Sequence, residues 1–214
     1  MMESTGPEAA AIRSNFSLDR AIAAIASLPF AWMAYYRLVV QGVDLPHAAL
    51  AINYALLIVT MVIRRPPQRV TTKPLYWVTA FVATYWIFIT FGLMERGDPI
   101  APTALTNALA LMSLAIAVFA RLSLGRNIGF VPAQREIVTS WAYTVVRHPI
   151  YGGIFVSMAG AVLRGYSLRN LVVTAIGASL FVIKSFMEEE FLKQDPAYVE
   201  YMRRVRWRWI PLVA

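Results

Sequence analysis

The sequence predicts an all-α fold: a polytopic bundle of five to six transmembrane helices, with a cytoplasmic cofactor pocket formed by the C-terminal half. Three observations carry that expectation. Hydrophobic residues make up 58% of the 214, and the mean hydropathy is +0.56. Charged residues are only 15%, against about 25% in an ordinary soluble domain. The apolar residues come in long runs separated by short polar loops, and a crossing helix needs about 20 of them.

Residues 1–20 are polar and acidic and lack the apolar core of a secretory leader, so they read as a cytoplasmic tail. Residues 21–40 form the first span, with Pro29 as a kink point. Residues 47–63, 75–93 and 103–122 form the next three, completing a four-span N-terminal region over 21–122. A polar stretch follows, then apolar segments at 150–163 and 168–186, separated by the turn-like Arg164-Gly165-Tyr166-Ser167. The first of these is short for a crossing and is either tilted or joined to the second as a helical hairpin. A helix over 188–204 continues out of the last span, and the basic, aromatic stretch 203–209 suits a headgroup anchor. Residues 123–214 thus form a second region.

Charge orients the set. With six spans and both termini inside, 16 of the 20 Lys and Arg residues fall on the cytoplasmic side, as the positive-inside rule requires. The net charge of +8 is explained by this asymmetry and not by a nucleic-acid partner. The chain has no cysteine, which excludes disulfides and thiolate chemistry. Its two histidines, His47 and His148, are expected at opposite membrane faces, so no metal site is expected.

The informative polar residues lie in the second region. Gly125, Gly129 and Pro132 argue against a helix over 125–138, leaving backbone groups available to a ligand. Arg147-His148-Pro149 reads as a helix entrance, because proline disfavours helical geometry in the residue before it and suits the first helical turn. Gly152 and Gly153 allow close approach by a ligand or another helix. Lys184 and Glu188 share a helix face, and three consecutive acids, Glu188 to Glu190, cannot all face one partner. Polar groups beside lipid are expensive and point to function.

These residues together resemble the isoprenylcysteine carboxyl methyltransferase family, within the wider group of membrane phospholipid methyltransferases. The resemblance spans about residues 121–211. It rests on Ile137-Val138-Thr139, Tyr143, Arg147-His148-Pro149-Ile150-Tyr151-Gly152, Glu188-Glu189-Glu190-Phe191-Leu192, Tyr198-Val199-Glu200-Tyr201 and Ile210-Pro211. Trp141 stands where the pattern has glycine, Arg135 where it often has histidine, and Lys184 where it often has arginine. The resemblance implies that 123–214 is a methyltransferase catalytic region using S-adenosyl-L-methionine. Arg135, Glu136, Ile137 and Val138 would line the cofactor through the backbone, and Tyr143 would flank it. His148, Pro149 and Tyr151 would close the pocket, and Glu188 would take the cofactor's charged end. Arg147 would tie the loop to the acidic helix. Lys184 or Arg147 could position a carboxylate acceptor, while Glu188 or Glu189 could deprotonate an amine.

The expected activity is therefore methyl transfer to a lipidic or isoprenylated acceptor from the bilayer, with carboxyl O-methylation of a prenylcysteine-like group favoured. Phospholipid N-methylation is one alternative. Another is a membrane reductase using NADPH on a sterol or isoprenoid double bond, which needs no Rossmann fingerprint. A non-enzymatic scaffold or transporter leaves the clustered charges without a purpose.

Overall fold

The computed structural model describes residues 16–40 and 42–212. The order is α1 (Phe16–Tyr35) running into a π-helical turn (Tyr36–Val40), α2 (Leu45–Val62), α3 (Pro74–Leu93), α4 (Thr103–Leu124), α5 (Pro149–Arg164), α6 (Leu168–Leu192) and α7 (Pro196–Arg204). Most of the expected tail, residues 1–15, lies outside the described residues; α1 begins at Phe16, before the expected position 21. Pro29 sits inside α1.

Local chemistry sets the helix starts. Asp44 caps α2 by accepting from the His47 amide at 2.8 Å, and Ser167 caps α6 through the Asn170 amide at 3.0 Å. Pro74, Pro149 and Pro196 each occupy a first helical position, where a missing N–H costs nothing. One expectation fails here. The chain does not continue as one helix over 188–204: α6 runs on to Leu192 and stops, and Asp195-Pro196 starts α7 afresh. Asp195 accepts from the Ala197 amide at 2.9 Å. The acids 188–190 thus lie inside α6, and Asp195 no longer shares their stripe.

Among the described residues, α1, α2, α4 and α6 are long and apolar enough to cross a membrane, while 74–90 of α3 and α5 are apolar but shorter. The bundle is an integral membrane protein. Large apolar side chains point outward, with Ile25 66%, Leu122 67% and Leu168 69% exposed, as lipid-facing residues should be. Small residues mediate the helix contacts, since lipid offers no hydrophobic drive for helices to associate. Gly153 lies against the α4 backbone, where the Ser113 hydroxyl donates to its carbonyl at 2.9 Å. Gly177 accommodates the Trp86 indole, which donates to the Val173 carbonyl at 3.1 Å.

The two ends of the bundle differ. At one end, Asp44 pairs with Arg164 at 2.7 Å, and Arg164 donates to Asn107 at 3.1 Å. Burial works against ionisation of Asp44, but the His47 amide and Arg164 outweigh it and hold the carboxyl below its ordinary range. His47 and His148 begin helices at opposite ends, as expected. At the other end, the non-helical loop 125–138 is strapped onto the α2–α3 connection. A two-residue antiparallel ladder pairs β1 (Arg69–Val70) with β2 (Ala133–Gln134), with Arg69 opposite Gln134. The Arg65 amide donates to the Arg126 carbonyl at 2.7 Å, and Arg65 also pairs with Glu136. Phe130 inserts beside Phe30, Tyr85 and Tyr54. The loop that sequence left unstructured is thereby fixed to the N-terminal helices by ring packing.

Candidate functional site

The Arg147-His148 string is held from outside by the C-terminal tail. The Arg147 amide donates to the Trp207 carbonyl at 2.9 Å, and the His148 amide to the Arg208 carbonyl at 2.7 Å. Arg147 Nη1 donates to the Val205 and Arg206 carbonyls, both at 2.7 Å. Its Nε meets Glu189 Oε1 at 2.7 Å. Glu189 is 1% exposed and also receives Arg208 Nε at 3.2 Å and His148 Nε2 at 3.2 Å. Trp209 closes the lock, donating from its indole to Ser185 Oγ at 3.1 Å and packing edge-on to Phe155 and Phe186. Stretch 205–209 is therefore an internal clamp as well as a surface segment, which its composition alone did not signal.

Gly152 answers the question its sequence left open. A Cβ there would overlap the Trp209 carbonyl oxygen, so the glycine admits the tail backbone. Gly152→Ala is expected to cost about 1–3 kcal/mol through this overpacking. Thermal denaturation of the purified variant, with faster proteolysis after residue 204, would record it; an unchanged melting temperature would contradict it.

The neighbouring acid behaves differently. Glu188 faces inward, and its Oε1 accepts from the Tyr151 hydroxyl at 2.7 Å. The His148 ring lies parallel to the Tyr151 ring, with centroids 5.4 Å apart, and His148 Nδ1 stands 3.8 Å from Glu188 Oε2. Thus one imidazole nitrogen faces each acid. Lys184 is buried: its ammonium donates to Thr84 Oγ1 at 3.1 Å, lies 3.9 Å from Glu188 Oε1 and sits over the Tyr151 ring.

These groups surround a cavity of about 620 Å³. Its walls at this end include Arg135, Glu136, Ile137, Val138, Tyr143, Arg147, His148, Tyr151 and Glu188. Most of the expected site residues thus converge. Two of them lie elsewhere: Pro149 starts α5, and Lys184 stands behind Tyr151 and Glu188, outside the lining. Tyr143 is held in a 3₁₀ turn (Trp141–Thr144), where its carbonyl accepts from the Tyr201 hydroxyl at 2.8 Å. Trp141 opens that turn at φ 55°, a left-handed geometry that favours the glycine of the family pattern. Burial pushes the Tyr143, Tyr198 and Tyr201 phenols up, so all three remain protonated donors. Sequence reasoning missed Asn53, Arg121 and Asn127, which also line the cavity. Arg121 looked like one more cytoplasmic loop charge, and only its burial distinguishes it.

The site is thus an apolar cavity inside a membrane bundle, with one carboxylate turned into it and a second locked behind it. Residues 102–195, from the start of α4 to the break before α7, match the family model described as phospholipid methyltransferase (PEMT). That family includes the isoprenylcysteine carboxyl methyltransferase-like membrane enzymes, in agreement with the resemblance read over residues 121–211. No curated protein matches the chain.

Proposed function

We propose that the chain transfers a methyl group from S-adenosyl-L-methionine to a lipidic or isoprenylated acceptor entering from the bilayer, with a carboxylate oxygen as the favoured acceptor. The observation that supports a carboxylate is the engagement of both acids. Glu189 is held by Arg147, Arg208 and His148, and Glu188 accepts from Tyr151. Glu189 is locked and Glu188 is assigned to the cofactor's charged end, so neither is placed to take the proton that an ammonium acceptor must lose before attack. A carboxylate needs no base.

The residues fit the cofactor. A cavity-facing carboxylate suits a cationic amino acid end, and Tyr143 with Ile137 and Val138 offers apolar flanks to a flat base. Glu188, His148 and Tyr151 would hold the charged end, with the backbone of Arg135 to Val138 along one side. When bound, the cofactor supplies an electrophilic methyl group on sulfur. The protein's part is to orient the acceptor and exclude water, and orientation of this kind lowers barriers by about 7–11 kcal/mol at most. Arg147 and Lys184 act here as positioning residues: Arg147 by fixing the helix entrance, Lys184 by bracing Glu188 and Tyr151. Five or six spans with this end in the cytoplasm fit both the charge asymmetry and a water-soluble cofactor.

Incubating the purified chain with methyl-labelled cofactor and a total membrane lipid extract tests this. Mass spectrometry is expected to find the label in an alkali-labile methyl ester. Label in an alkali-stable N-methyl headgroup would replace the carboxylate reading. Preference for NADPH over S-adenosylhomocysteine would replace the methyltransferase reading altogether.

A further inference from the structure

The cavity contains a second polar feature, away from the locked acids. Arg121 lies in the last turn of α4 and is 6% exposed. An arginine at the end of a membrane helix normally reaches outward to the interface. Arg121 instead turns inward, and its Nη1 donates to Asn53 Oδ1 of α2 at 2.6 Å. Its Nε, fully buried, has no hydrogen-bond partner among the described residues. No carboxylate of a described residue pairs with it. Nearby in sequence, Asn127 Oδ1 is likewise buried without a partner, and Arg121, Asn53 and Asn127 all line the cavity. A buried charge is costly unless it is paired, and one neutral amide is a poor counterpart.

The position gives this orphan charge a meaning. The charges of Glu188 and Arg121 both act on the Tyr143 phenol. Tyr143 is therefore within electrostatic reach of both the acid proposed to hold the cofactor and the buried cation. The planar fork of a guanidinium matches two oxygens of a carboxylate or phosphate. The Asn127 side-chain carbonyl oxygen is an acceptor and suits a donor, a hydroxyl or ammonium, and not the oxyanion itself.

We propose that Arg121, supported by Asn53, forms an oxyanion subsite that seats the charged headgroup of an amphiphilic acceptor inside the cavity. This rests on the methyltransferase reading for its purpose, but not for its existence. The missing counter-charge is the acceptor's own. Arg121 would fix the headgroup beside Tyr143 and leave the apolar tail along the bundle.

Calorimetric titration of the full chain in neutral detergent tests it, with dodecanoate, dodecyl phosphate and dodecanol as probes and S-adenosylhomocysteine measured on the same samples. The wild type is expected to bind at least one anion roughly tenfold or more tighter than dodecanol. Arg121→Gln is expected to remove that preference while leaving S-adenosylhomocysteine affinity within about twofold. Arg121→Lys, which keeps the charge but loses the fork, should fall between them. A preference for dodecanoate assigns the subsite to a carboxylate acceptor, and one for dodecyl phosphate to a phospholipid headgroup. Equal binding of all three probes by the wild type overturns the subsite, as does an unchanged anion preference in Arg121→Gln. If Arg121→Gln loses S-adenosylhomocysteine as well, the wild-type comparison with dodecanol decides alone. Anion binding by a wild type that takes no S-adenosylhomocysteine would sink the methyltransferase reading and leave the subsite standing.

Discussion

Glu189→Ala is expected to destabilise the protein by about 3–5 kcal/mol, the cost of leaving a buried cation without its partner. Glu189 is the single carboxylate on which Arg147, Arg208 and His148 converge. Arg147 in turn holds the Val205 and Arg206 carbonyls. Removing Glu189 therefore strands a buried guanidinium and loosens the tail that backs the helix entrance. Glu189→Gln keeps the shape and one acceptor oxygen but not the charge, so it should recover only part of the loss. Thermal unfolding of the purified variants in detergent checks the size of the effect, and limited proteolysis checks release of 205–212. A Glu189→Ala protein that melts with the wild type and keeps its tail protected would show that the ion cluster carries no stability.

Glu188→Ala is expected to destabilise the protein less than Glu189→Ala does and to abolish cofactor binding. Truncating one partner of a buried, hydrogen-bonded charge pair costs about 2–5 kcal/mol in binding, which is roughly 30-fold or more in affinity. Glu188 is the acid turned into the cavity, and its loss strands one cation where loss of Glu189 unties three partners: Tyr151 is neutral, and Lys184, 3.9 Å away, keeps Thr84. The two adjacent glutamates should therefore differ, one failing mainly in stability and the other mainly in binding. Titration with S-adenosylhomocysteine reads the second effect against melting temperature as the control. Wild-type affinity in Glu188→Ala would remove Glu188 from the cofactor site.

Much of the architecture was legible because membrane helices advertise themselves. Apolar runs of spanning length, bounded by Asp44-Leu45-Pro46, Lys73-Pro74 and His148-Pro149, place helix starts to within a few residues. The exception is instructive. Residues 188–204 look continuous by pattern, yet Asp195-Pro196 is a capping signal strong enough to restart the helix. The loop 125–138 was recognisable as non-helical, but its strapping to Arg65, Arg69 and Phe30 depends on residues about 60 to 100 positions away, beyond what local pattern encodes.

The sequence by itself determined the membrane class and most helix starts, because hydropathy and proline are local signals. Tertiary structure alone decided what each charged group does. Glu188 and Glu189 are consecutive and chemically identical, yet helical rotation turns one to the cavity and the other to Arg147. Lys184 falls behind the wall, while Arg121, read in the sequence as one more cytoplasmic charge, reaches the cavity with no counter-charge among the described residues. The physical reason is that the worth of a charge is set by its burial and its partners, and both come from distant segments that only the packed bundle brings together.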